Sequence, residues 1–183
     1  MDKKIEKRWI VAFGITVLAA IGGLCLHHHP AEASGAFKET SAIVPADVAW
    51  LLTASCLVLL MTPGLSFFYG GMVGKKNVIS TMLKSFICLG VISLLWVVVG
   101  FSLSFGDPVL ITIGGKLYGI FGNPSDFAFF DRVDEHPHKQ LATTIPFILF
   151  ALFQMKFAII TPAIITGALA ERIRFISFLM FIC

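Results

Sequence analysis

Charge is what this 183-residue sequence has least of: 14% of its residues are Asp, Glu, Lys or Arg, against about a quarter in an ordinary soluble domain. With 57% of the residues hydrophobic, too little polar surface remains to clothe a water-soluble core, and a soluble fold is excluded. Patterns that carry chemistry are missing as well. The four cysteines, Cys25, Cys56, Cys88 and Cys183, stand alone in apolar runs without metal-ligand spacing, which makes them packing residues rather than a disulfide framework or a metal site. No nucleophile stands beside a base, and no Gly-rich phosphate loop appears, so no cofactor is called for and an enzyme is not expected. A net charge of +3, concentrated beside the apolar runs, is too small for a nucleic-acid surface.

The charges that are present divide the chain. Met1 to Arg8 is basic, Trp9 to Leu26 is apolar, and Ala31-Glu32-Ala33 places small residues two apart, the three-part layout of a secretory signal peptide over residues 1–33. The competing reading is a retained first span, because eighteen residues just cross a hydrocarbon core of about 30 Å. His27, His28 and His29 fall between the apolar run and the cleavage position and would leave with the leader.

Beyond it, spans are expected over about 47–71, 78–105 and 141–170, with a further span starting at 176–183. Lys84 lies near enough to the start of the second run for its stem to snorkel to the interface. Gly106 to Gln140 collects Asp107, Asp126, Asp131, Asp134 and Glu135 with breaking prolines and glycines, and reads as an external loop. Lys75-Lys76 and Arg172/Arg174 then lie inside, and the mature N-terminus outside. That agrees with a cleaved leader and with a multi-pass protein of the inner (plasma) membrane. Eight residues cannot cross a bilayer, so 34–183 is read as the N-terminal part of a larger membrane domain.

Within the spans, Gly64, Gly70, Gly71, Gly90 and Gly100 permit close helix approach. Pro63, Pro146 and Pro162 are each expected to free a backbone carbonyl. Phe150, Phe153, Phe157, Thr161, Ile164 and Ala168 follow steps of three or four, so they share one face of the third span. Such a stripe can face lipid, a neighbouring helix or a conduit; in the last case a phenylalanine at the mouth attracts a cation by about 0.5–2 kcal/mol. Lys156, deep in the same span, costs roughly 2.5–3.5 kcal/mol at mid-bilayer if unpaired. It points about 100° away from Phe157, toward another helix or subunit rather than into the same conduit. Glu171 is expected to pair with Arg172 and Arg174 at the end of the span.

Three stretches resemble the ammonium transporter (Amt/Mep/Rh) family: Thr62–Ser80 (TPGLSFFYGGMVGKKNVIS), Leu95-Trp96 with Ser102–Gly106 (SLSFG), and Phe153–Phe175 (FQMKFAIITPAIITGALAERIRF). The last is long, ordered and in register after the external loop. The resemblance covers about Asp47 to Cys183. It implies an all-α, polytopic transmembrane helix bundle of eleven spans, with about three and the start of a fourth present here. It also implies an external N-terminus, a homotrimer with one hydrophobic conduit in each subunit, and ammonium or ammonia as substrate. Phe157 matches the phenylalanine that helps form the external ammonium site and gates the pore, and Phe153 matches its neighbour one turn earlier. The family's recruiting tryptophan and serine, second gate phenylalanine, buried aspartate and two pore histidines belong to later spans, so a chain ending at Cys183 is not expected to conduct alone. A cytoplasmic regulatory protein is a further partner the resemblance allows. Two other readings stay open: an ammonium sensor whose membrane domain is joined to a signalling domain, and an inactive fragment.

Overall fold

The computed structural model describes residues 43–113 and 116–183; the leader expected over 1–33, with its three histidines, lies outside the described residues. Among the described residues four helices carry the fold: α1 (Pro45–Met72), α2 (Val78–Phe105), α3 (Phe147–Ala168) and α4 (Phe175–Ile182). The first three are long and apolar enough to cross a membrane. At 1.5 Å per residue the 22 residues of α3 rise about 33 Å, the thickness of a hydrocarbon core. The chain is a polytopic helical membrane protein, and its contacts divide it into two units, described in turn.

The larger unit holds α1, the first part of α2, α3 and α4. Its first two helices are built inside out relative to a soluble protein. On α1 the buried residues are Ser55, Thr62, Ser66 and Gly70, while Trp50, Leu57, Leu60, Phe67 and Phe68 are exposed. On α2 the buried set is Thr81, Lys84, Ser85 and Cys88. Small and hydroxyl side chains let backbones approach and bond across the seam where surrounding lipid removes any gain from apolar burial. Ser66 Oγ donates to the Met82 carbonyl at 3.2 Å, and the hydroxyls of Ser85 and Thr166 meet at 3.3 Å. Cys88, Ala163, Phe178 and Ile182 close the cluster where α4 joins α2 and α3.

α1 and α3 run in the same direction, tied at both ends. Val44 N–H donates to the Thr144 carbonyl at 2.9 Å, and Tyr69 Oη donates to the Ile164 carbonyl at 3.1 Å. Pro45 at the first helical position forfeits a donor that would be orphaned there anyway. Pro63 and Pro162 lie inside their helices, each withholding the N–H that the carbonyl four residues earlier would take. Pro146 differs from expectation: it precedes α3 as its N-cap and frees no helical carbonyl. The third helix accordingly starts at Phe147 rather than near Leu141. Its first N–H groups are met from the preceding loop, Phe147 by the His136 carbonyl and Ile148 by that of Asp134.

The smaller unit, described over 95–113 and 116–133, joins the end of α2 to the first part of the stretch Gly106 to Gln140 expected as an external loop, which is more regular than its prolines and glycines suggest. α2 widens there into a π turn at Trp96–Gly100, with Phe101 N–H reaching the Trp96 carbonyl, before ending at Phe105. Phe101 is fully buried and its ring meets those of Trp96, Phe105, Phe127 and Phe130 at centroid distances of 5.2 to 5.9 Å. Strands β1 (Pro108–Ile113) and β2 (Lys116–Gly122) pair antiparallel as a hairpin with a register shift between Pro108 and Leu110. Asp126 accepts from Asp107 N–H at 2.7 Å and from the Asn123 side chain at 2.8 Å; burial nevertheless holds its carboxyl above the ordinary aspartate range.

Two glycines make close approach possible, with different margins. A Cβ at Gly70 would lie 2.9 Å from Cγ of Met82, a side chain able to turn away, whereas a Cβ at Gly167 would overlap the Tyr69 ring, which is pinned by its own hydrogen bond. Gly167→Val is therefore expected to destabilise the protein by about 1–3 kcal/mol in thermal unfolding in detergent or lipid. Replacing Tyr69 by Ala in the same chain should erase the extra loss. An equal loss in both backgrounds would mean that the ring is not the obstacle.

Candidate functional site

The aromatic stripe of α3 emerges on the uncovered side of the helix. Its opposite face is buried through Ala151, Met155, Ile159, Ile160, Ala163 and Thr166. Phe150 and Phe153 are half-buried, while Phe157, Thr161, Ile164 and Ala168 are exposed, Phe157 by 43%. The two candidate site residues come together: the rings of Phe153 and Phe157 meet edge to face, 5.1 Å between centroids and 75° between planes. That geometry turns one ring's positive edge to the other's negative face and fixes both orientations. One turn further on, Thr161 Oγ1 donates to the Phe157 carbonyl at 2.9 Å, just before Pro162 interrupts the ladder. The candidate site is thus an edge-to-face aromatic pair on an open helix face, with Pro162 a little over one turn beyond it.

Lys156 lies beside this face. It is half-buried, and among the described residues no hydrogen bond or ion pair is formed by its ammonium.

At the other end of the helices the structure departs from the expected charge pairing. Glu171 pairs with neither Arg172 nor Arg174 among the described residues; Oε1 accepts instead from Gly74 N–H at 2.9 Å and from Asn77 Nδ2 at 3.0 Å. The reason is local. Glu171 takes a left-handed φ of 62° just past the end of α3, where glycine is usual, and the turn between α1 and α2 offers N–H groups that need an acceptor. These two donors, the Asn77 side chain first, hold the Glu171 carboxyl below the ordinary glutamate range. Lys84 also differs from expectation. Only 3% exposed, it does not reach water but donates from Nζ to the Ile173 carbonyl at 3.1 Å. Both contacts join residues about ninety positions apart, so no local pattern could have signalled them. Between the two turns lies a cleft of about 470 Å³, lined by Tyr69, Met72, Ile164, Gly167 and Glu171.

Comparison with known proteins bears on this arrangement. Residues 49–183 match the family model described as Ammonium Transporter Family. The chain is 43% identical over 139 residues to an ammonium transporter of Bacillus subtilis, covering 74% of this chain and 31% of that protein. It is 43% identical over 148 residues to an ammonium transporter of Mycobacterium tuberculosis, covering 74% of this chain and 29% of that protein. Among solved structures it resembles Saccharomyces cerevisiae Mep2 with a TM-score of 0.63 and 31% identity, covering 78% of this chain and 29% of Mep2. It resembles Candida albicans Mep2 with a TM-score of 0.62 and 30% identity, covering 76% and 28%. The chain thus spans under a third of the length of the relatives it matches.

The Glu171 contact carries a pH dependence whose sign is fixed. A carboxyl held below its unfolded value of 4.5 contributes stability that is complete above that value and is lost as pH falls through the lower, folded one. The Gly74 amide, followed by NMR or by hydrogen exchange corrected for intrinsic rate, should therefore stay protected down to about pH 4.5 and titrate below it. In Glu171→Ala the protection should be absent at neutral pH. A Gly74 amide indifferent to both changes would remove the carboxylate from this role.

Proposed function

We propose, because the chain belongs to the ammonium transporter family, that it forms part of a membrane conduit for ammonium whose outer recruiting site includes Phe157 and Phe153. The observation that carries the reading is the edge-to-face pair on the open face of α3, with Phe157 left 43% exposed. Orientation follows from charge: Lys75, Lys76, Arg172 and Arg174 gather at the end of the spans where α1 and α3 finish, and basic residues in short loops stay inside. The Phe147 end of α3 is then external, and Phe153 and Phe157 lie within its first three turns.

Phe157 offers its ring face to an ammonium ion arriving from outside, and Phe153 holds that ring in place. The attraction is about 0.5–2 kcal/mol, enough to concentrate the cation but far below the cost of stripping its water. Deprotonation and passage therefore require further groups, supplied by membrane segments outside this sequence, as the family resemblance implies. Pore walls of this kind select by shape and by the polar groups at their constrictions. The assembly that fits the reading is a homotrimer in the plasma membrane, with a separate conduit in each subunit.

The test is ammonium uptake in cells lacking their own transporters, using the gene that encodes this chain. Phe157→Ala should raise the ammonium concentration for half-maximal uptake about 2- to 30-fold, the range a lost cation–π attraction allows. Phe157→Tyr, which keeps the ring, should stay within about twofold. Unchanged half-saturation in Phe157→Ala, with only less protein in the membrane, would make the pair a packing feature.

A further inference from the structure

We propose that Lys156 marks a docking position for a transmembrane helix that carries a carboxylate at mid-membrane and comes from outside this sequence. The proposal rests on the membrane placement of α3 and not on the transport reading. Lys156 stands nine residues after Phe147 and twelve before Ala168, about 14 Å and 18 Å from the two ends of the helix. A lysine's four-carbon stem falls well short of either distance, so the ammonium does not reach a lipid headgroup by snorkelling.

Lys156 stands at the border between the covered and the open face of α3. Steps of seven residues put Leu149 and Ala163 on the same line of α3 as Lys156, and both are buried. Lys156 itself keeps part of its surface open, and among the described residues it has no hydrogen-bond or ion-pair partner. An ammonium has three donors and no acceptor of its own. In a membrane such a group pairs with an opposite charge, a cavity water or a backbone carbonyl, and only a carboxylate both accepts strongly and cancels the charge.

A second copy of this chain does not fit the role. The sequence contains no Asp or Glu between Val48 and Gly106, between Leu141 and Ala170, or within Trp9 to Leu26. Asp47 and Glu171 stand at opposite ends of the spans, so two copies meeting on this line would oppose lysine to lysine. The complementary helix is therefore a different one, with Asp or Glu near its centre.

The chain reconstituted in phosphatidylcholine vesicles at pH 7 tests this with designed Leu/Ala transmembrane peptides, each with one central Asp, Lys or Leu, and association read by energy transfer. The Asp peptide should associate about 5- to 30-fold more strongly than the Leu peptide, and the Lys peptide no more strongly than the Leu peptide. Lys156→Met should abolish the preference, and Lys156→Asp should transfer it to the Lys peptide, with helix content by circular dichroism unchanged. If either variant fails to fold, the ordering of the three peptides on the unaltered chain still decides. Equal association of all peptides, or a preference that survives Lys156→Met, overturns the proposal. So does loss of the preference on adding phosphatidylglycerol, which would assign the lysine to headgroups.

Discussion

The seam of small and hydroxyl residues between the helices is the constraint on which the rest of this structure depends. Lipid is as apolar as leucine, so burying leucine against leucine gives no net drive to hold two spans together, and association falls to close packing and interhelical hydrogen bonds. Ser66, Thr81, Ser85 and Thr166 are buried for that reason while most of the large apolar side chains of α1 look outward. Once the backbones are close, ring and backbone can meet directly, as Tyr69 meets Gly167 and the Ile164 carbonyl. α3 differs: its covered side mixes small residues, Ala151, Ala163 and Thr166, with large apolar ones such as Phe147, Met155 and Ile159, and its open face carries the aromatic pair.

The turns solve a different problem. A helix end leaves orphan donors and acceptors, and here those at the ends of the spans are met by side chains from far along the chain. Glu171 reaches the turn after α1, and Lys84 reaches the turn after α3. One tie runs from the turn after α3 to the turn after α1, an anion onto N–H groups, and the other from the second turn of α2 to the turn after α3, a cation onto a carbonyl. Each group is used where its charge suits what the backbone offers. The two turns therefore constrain one another, and the cleft beside Tyr69 takes its walls from both.

Much of this was legible in the sequence because apolar run length and charge segregation are one-dimensional signals. The aromatic stripe of α3 falls on one face because steps of three and four leave no alternative on a helix. Sequence could not tell that this face would be the uncovered one, since an aromatic stripe looks the same whether it packs or not. The failures have physical causes. Pro146 reads in sequence like the helix-interior prolines, but it precedes the first helical residue and withholds no N–H from the ladder. The hairpin at 108–122 was hidden by its glycines and by alternation too short to stand out. Glu171 was assigned to its arginine neighbours because proximity in sequence was the only guide, whereas a left-handed backbone carries its carboxylate to a turn nearly a hundred residues away. Lys84 was sent to water because the carbonyl that receives it belongs to a turn that periodicity cannot place.

That last bond has a consequence in time. Lys84 and Ile173 are separated by 89 residues, and a ribosome adding about 5–20 residues per second takes about 4 to 18 s to make the interval. During that delay the second span must enter the bilayer with a cation whose eventual acceptor has not yet been synthesised. Its ammonium is committed to the aqueous edge or the insertion machinery until the third span arrives. The finished contact is therefore also a record of order: it can close only after the turn that follows α3 has been made.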